Sequence, residues 1–195
     1  IGAEEPESVL HRIAKDYGNE QAKKFLNSIL IIVKQFITHY GFSYGYSDLE
    51  LSDKDREAII NDIEETYKKV YDITTQQNKG TLRPMRGMTS AETAEALITY
   101  ELGEARKRAG ITANSNLADN NAGKIMATTG ARGSDLNVGQ MAGALGQQSR
   151  RGKRLHGGYS NRTLSYFKEH DNNPDSHGFV KSNFRDGLSV LEFFF

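Results

Sequence analysis

The sequence predicts a mainly α protein with a small β component, in which long antiparallel helices form an arm that leads into a Gly/Gln/Asn-rich region. Three observations carry this expectation. Apolar residues recur at helical spacing through the first 109 residues. Serine, threonine and glycine stand where helix caps belong. After residue 116 that periodicity gives way to closely spaced glycines mixed with amide and guanidinium side chains. The chain therefore divides into a helical part, 1–115, and a part of different character, 116–195.

The elements follow in order. Pro6 suits a first helical turn, and the periodic stretch it opens runs to Tyr17. A second helix spans Glu20 to Tyr40, with Phe25, Ile29, Ile32, Val33, Phe36 and Ile37 giving a wide apolar stripe. Ser52 caps a third helix from Asp53 to Asn78, whose Ile59, Ile63, Tyr67 and Val70 share one face. Its opposite face, with Asp55, Asp62, Glu65, Lys68 and Lys69, reads as solvated. Thr89 and Glu92 form a capping box for a fourth helix, expected to run to Ala109 and to stop at Gly110. Gly18, Gly41 and Gly80 punctuate the earlier helices. Beyond them, 116–129 and 134–145 can form short helices, while 147–155 and 162–167 read as extended. Ser189 and Glu192 make a second capping box just before Phe193-Phe194-Phe195. A helix of barely one turn does not sustain itself, and Ile1 is not an initiator, so both ends read as cuts in a longer polypeptide.

Composition narrows the function classes. The chain is 37% hydrophobic and 26% charged, a globular balance. No apolar run approaches the length of a membrane span. Ile1 to Ser8 is acidic and lacks the basic start and apolar stretch of a secretory signal, so Asn161-Arg162-Thr163 carries no weight as a glycosylation acceptor. No cysteine is present, which excludes disulfides and thiolate metal sites. A cytoplasmic setting without membrane contact is expected. Net charge is zero, but 1–120 has an acidic excess and 121–195 a basic one, which points to two surfaces with different partners.

Candidate chemistry is sparse. His11, His39, His156, His170 and His177 are scattered, and no pair has helical metal spacing. His170 and His177 could meet Asp171 and Asp175 in a loop, a weak metal candidate. Gly130-Ala131-Arg132-Gly133-Ser134 has the composition of a phosphate-cradling loop but not the Gly-Lys-Ser/Thr ending of a P-loop. The run Arg150, Arg151, Lys153, Arg154 is more pointed, because four cations so close repel one another unless anions or solvent screen them. Arg132 and Arg162 could join that surface, and Tyr159, Tyr166 and Phe167 could stack or pack beside it. Phosphate contact and an exposed basic loop explain the run equally well.

A set of short motifs then occurs in a telling order. Thr129-Gly130-Ala131-Arg132-Gly133-Ser134 is followed by Asn137, Gln140-Met141-Ala142, Gly146-Gln147-Gln148-Ser149 and Gly152-Lys153-Arg154. Arg162-Thr163-Leu164, Gly178-Phe179-Val180, Gly187-Leu188 and Glu192-Phe193-Phe194-Phe195 continue it. Together these resemble the pore region of the largest subunit of multi-subunit DNA-directed RNA polymerases, in its archaeal form. Leu10-His11-Arg12, Gly41-Phe42, Gly45 and Glu104-Ala105-Arg106 resemble the helical funnel of the same subunit. Ser165 and Tyr166 stand where the family often has proline and histidine, and Asp135 where it has an apolar residue.

The resemblance implies that 1–115 is the funnel domain, and 116–195 the pore region with the first turn of the bridge helix. Arg132 would contact the phosphates of incoming nucleoside triphosphates. Asn137, Gln140, Gln147, Gln148, Lys153 and Arg154 would line the pore or hold its backbone. Implied partners are the other polymerase subunits, the rest of the largest subunit, a transcript-cleavage factor docking on the funnel, and DNA and RNA through the assembled enzyme. The magnesium-binding Asn-Ala-Asp-Phe-Asp-Gly-Asp motif does not occur here, so no catalytic or metal residue is assigned, and magnesium belongs to the parent enzyme. A free-standing nucleic-acid-binding or interaction module is the alternative.

Overall fold

A computed structural model describes residues 7–158, 160 and 162–195. Pro6, Tyr159 and Asn161, named above, lie outside the described residues. The chain divides into two compact units, one of residues 1–48 with 118–134 and the other of residues 49–117 with 135–195. Among the described residues no helix is long and apolar enough to cross a membrane.

The first unit contains α1 (Val9–Tyr17), α2 (Asn19–Tyr40) and α5 (Ala122–Thr128). Ser8 caps α1 by accepting from the His11 amide. The stripe expected along α2 is present as a face but is not a core: Ala22 is the buried residue of that helix, while Ile32 and Phe36 are 67% and 60% exposed. Phe36 and Tyr40 stack with ring centroids 5.1 Å apart. Asn121 serves α5 twice. Its Oδ1 accepts the Lys124 amide at 3.0 Å, and its Nδ2 donates to the Asp48 carbonyl at 2.5 Å, so one side chain caps the helix and ties it to a distant segment.

The second unit is built on α3 (Asp53–Asn78) and α4 (Ser90–Asn116), joined through the irregular 79–89 connector. Arg108 of α4 bonds Asp62 of α3, and Asn116 bonds Asp55, so residue numbers rise along one helix as they fall along the other. The pair is antiparallel. Ile59, Ile63 and Val70 are buried from α3, and Ala94, Ile98, Leu102, Ala105, Ala109 and Ala113 from α4. The α4 residues advance by fours and threes, which keeps them on one stripe. Thr89 and Glu92 form the expected capping box.

Helix α4 does not stop at Gly110. It continues to Asn116, because Gly110 is a packing residue rather than a terminator. Helix α6 (Asp135–Ala142) crosses α4 there, and a Cβ placed on Gly139 would lie 2.8 Å from the Gly110 Cα. Two glycines let the backbones approach as side chains would not. Small Ala105, Ala109 and Ala113 on the same stripe extend that close contact.

Among the described residues the β component is four two-residue strands in two antiparallel pairs. Strand β1 (Gly146–Gln147) pairs with β4 (Phe179–Val180), with Gly146 opposite Val180. Strands β2 (Ser149–Arg150) and β3 (Lys153–Arg154) form a hairpin. The segment 162–167, expected to be extended, is instead a series of bends and turns. Arg162 Nη1 reaches back to the carbonyls of Ser165 and Phe167, at 3.4 and 3.2 Å, and curls its own segment. Between β4 and the terminal α7 (Val190–Phe194), residues 182–187 clamp the end of α6. The amides of Phe184 and Arg185 and the side-chain amide of Asn183 donate to the carbonyls of Gln140, Met141 and Gly143. Those are carbonyls that a helix end leaves without intrahelical donors.

Candidate functional site

The residues singled out from the sequence fall in both units. Arg132 belongs to the first, just past α5, where its amide and that of Ala131 both donate to the Met126 carbonyl, at 3.3 and 3.0 Å. Its side chain is exposed, and among the described residues it makes no ion pair.

The remaining candidates lie in the second unit. Asn137 and Gln140 are on α6; Asn137 is exposed, and Gln140 Nε2 approaches the Leu145 carbonyl at 3.5 Å. Gln147 is buried in β1. Its Nε2 donates to the carbonyls of Gln148 and His177, both at 2.7 Å, so it joins β1 to the segment leading into β4. Gln148 anchors through its backbone, donating its amide to the Gly178 carbonyl at 2.9 Å. Both glutamines hold neighbouring backbone in place.

The basic run is split by the pleat and the turn of the hairpin. Arg154 turns inward and is 1% exposed, with Nε and Nη2 donating to the two Glu95 carboxylate oxygens at 2.9 and 2.6 Å. Burial disfavours the charged form of Glu95, but the hydrogen bonds and charge of Arg154 outweigh it, and the carboxyl is held below its ordinary value. This fork-on-fork pair fixes the hairpin on α4. Arg150, Arg151 and Lys153 stay exposed around the tip. Lys153 is close enough to Glu92 to add to the lowering of that carboxyl, which comes first from the hydrogen bonds of Thr89.

The weak histidine cluster resolves into structural contacts. The His177 ring lies between two carbonyls, with Nδ1 2.6 Å from that of Leu155 and Nε2 2.8 Å from that of Asp171. Asp175 accepts a very short hydrogen bond from the Tyr67 hydroxyl on α3. Burial first, and then that bond, push the Tyr67 hydroxyl well above its ordinary value. Tyr67 also meets Phe179 edge-on at 5.8 Å. Among the described residues no three His, Asp or Glu side chains gather as a metal site.

Two participants were missed from the sequence. Glu95 stands 59 positions from Arg154, and Tyr67 stands 108 from Asp175. Tyr67 reads from the sequence as a residue of the apolar face, and no local spacing marks either pair. Glu192, expected as a capping residue, does more. It accepts from the Ser189 amide at 2.9 Å and also from the Ser182 amide and hydroxyl at 3.1 and 2.9 Å, which staples the start of α7 to the end of β4. Burial alone would raise its carboxyl, but these hydrogen bonds prevail and lower it.

The comparisons with known proteins agree with these motifs. Residues 73–180 match the model of RNA polymerase Rpb1, domain 4, and residues 1–49 that of RNA polymerase Rpb1, domain 3. The chain is 41% identical over its whole length to the DNA-directed RNA polymerase subunit Rpo1N of Sulfolobus acidocaldarius, covering 22% of that protein. It is 41% identical over 96% of its length to the Rpo1N of Methanocaldococcus jannaschii, covering 14%. With the Rpo1N of Halococcus morrhuae the identity is 40% over 96% of the chain and 54% of the relative. The chain thus spans between about a seventh and about half of the length of these relatives. On this evidence the chain belongs to the Rpb1 family of RNA polymerase largest subunits.

Proposed function

We propose that this chain forms part of the funnel and nucleotide-entry pore of an archaeal-type DNA-directed RNA polymerase. Residues 1–115 form the outer funnel on which a transcript-cleavage factor docks. Residues 116–195 line the inner pore and begin the bridge helix. The chain contacts the rest of the largest subunit and the other polymerase subunits, and it meets DNA and RNA only through the assembled enzyme, in the cytoplasm. Nucleotidyl transfer and its magnesium belong to the parent enzyme. On this reading the isolated chain is inactive.

The observation that carries this reading is the setting of Arg132. It stands inside the family-matched stretch, its backbone is fixed by the end of α5, and its guanidinium is exposed without an ion-pair partner among the described residues. A permanently charged, forked donor held on a firm backbone suits passing triphosphate oxygens. Arg132→Ala in the whole polymerase is expected to raise the apparent KM for nucleotides roughly two- to fivefold, the worth of one exposed charged contact. An unchanged KM would remove Arg132 from this role.

A further inference from the structure

The hairpin β2–β3 carries two local features that cost stability, and both place cations at its tip. Ser149 pairs with Arg154 and Arg150 with Lys153, which leaves a two-residue turn of Arg151 and Gly152. Both turn residues have positive φ, +53° for Arg151 and +76° for Gly152. That is the signature of a type I′ turn, whose first position is best filled by Asn, Asp or Gly. An arginine there holds a left-handed backbone, which a residue with a Cβ adopts only at a cost. The register also sets Arg150 directly opposite Lys153, and like charges across a strand pair repel.

The fourth cation of the run shows what the hairpin does when only structure is at stake. Arg154 turns inward and meets Glu95 with both forks. Arg150 and Arg151 have no such partner: among the described residues neither makes an ion pair, and both side chains are exposed. Glu92 lies near Lys153, but Arg150 and Arg151 have no such offset among the described residues, and a sequence that sets them side by side on a strained turn concentrates positive charge for something outside the chain.

We propose that the hairpin tip, Arg150, Arg151 and Lys153, is a second triphosphate-contacting element, which receives the phosphates of an incoming nucleoside triphosphate independently of Arg132. The inference rests on the pore reading given above. Three cationic side chains, one on the two-residue turn and two on the strand ends that flank it, match a compact, multiply charged polyphosphate. The Arg154–Glu95 pair holds the base of the hairpin on α4, so the tip meets its ligand on a fixed support.

The turn geometry supplies a test in which stability and function move in opposite directions. Arg151→Asn removes the charge and installs a residue suited to the turn, whereas Arg151→Lys keeps both charge and strain. Both variants, with Arg150→Gln, are to be built into the complete polymerase and assayed with ATP and UTP at low and high salt. Arg151→Asn is expected to slow amide exchange across 149–154, yet to raise the apparent KM roughly two- to fivefold at low salt. That difference should shrink as salt screens the contact. Arg150→Gln should raise KM similarly, and Arg151→Lys should stay within about twofold of the parent.

KM values for Arg151→Asn and Arg150→Gln that equal the parent's, in an enzyme whose Arg132→Ala variant is impaired, would overturn the hairpin proposal and leave the pore reading standing. A defect confined to retention or cleavage of the RNA strand, with nucleotide KM unmoved, would also overturn it, by assigning the tip to RNA. If neither Arg132→Ala nor the hairpin variants move KM, the pore reading falls together with the proposal.

Discussion

Arg154 and Glu95 are unequal partners. Arg154 is 1% exposed and Glu95 43%, so removing the acid strands a guanidinium inside the protein, while removing the base leaves a carboxylate that water can reach. Glu95→Ala is therefore expected to destabilise the second unit by about 3 kcal/mol, and Arg154→Met by clearly less. Urea unfolding of the two variants side by side checks the order. The same pair gives a pH dependence. The Glu95 carboxyl is lowered from 4.5 in the folded chain, so its contribution is complete above that value and is lost as pH falls through the folded value. Hairpin amides should lose exchange protection in that acid range, and Glu95→Gln should blunt the change. The basic run was visible in the sequence, but its division was not. Which of four cations turns inward depends on the strand register and on a carboxylate 59 residues away, neither of which leaves a local mark.

At the level of elements, what could be read depended on whether the signal was local. The helix from about Asp53 to Asn78 was legible because Ser52 caps one end and the apolar spacing runs along its length. Both capping boxes were legible for the same reason. Gly110 misled, since a glycine that ends a helix and one that admits a neighbouring backbone look alike in sequence. The strand pairs were legible only as extended stretches, because the pairing of Gly146 with Val180 is a long-range choice. The Gly110–Gly139 crossing yields an asymmetric expectation. Gly139→Ala pushes a methyl to 2.8 Å from the Gly110 Cα and should cost about 1–3 kcal/mol. Gly110→Ala meets its nearest neighbour at 3.9 Å, adds helix propensity, and should be neutral or slightly stabilising. Thermal unfolding of the two variants separates them. Tyr67→Phe tests the link between α3 and the segment ahead of β4. It should cost about 0.5–1.5 kcal/mol, the net worth of one hydrogen bond, because Asp175 is exposed and water can replace its donor.

For the whole molecule, family membership was readable although the tertiary arrangement was not. Each motif is weak alone, but their order along the chain is specific, and the domain matches over 1–49 and 73–180 agree with it. The assembly of 1–48 with 118–134 has no such trace: the bond from Asn121 to the Asp48 carbonyl spans 73 positions. Among the described residues no three His, Asp or Glu side chains gather as a metal site, and the informative features are surfaces: an exposed Arg132, a cationic hairpin tip and an apolar face on α2. On the proposed reading such a molecule works by shape and charge within a larger enzyme. The most direct measurement is reconstitution of the parent polymerase with the segment corresponding to residues 1–195 removed from its largest subunit, followed by nucleotide incorporation with and without this chain supplied separately. Incorporation restored only when the chain is added is the expected result. Full incorporation without it, or failure of the chain to join the assembly, would contradict the reading of this protein as a funnel and pore element of RNA polymerase.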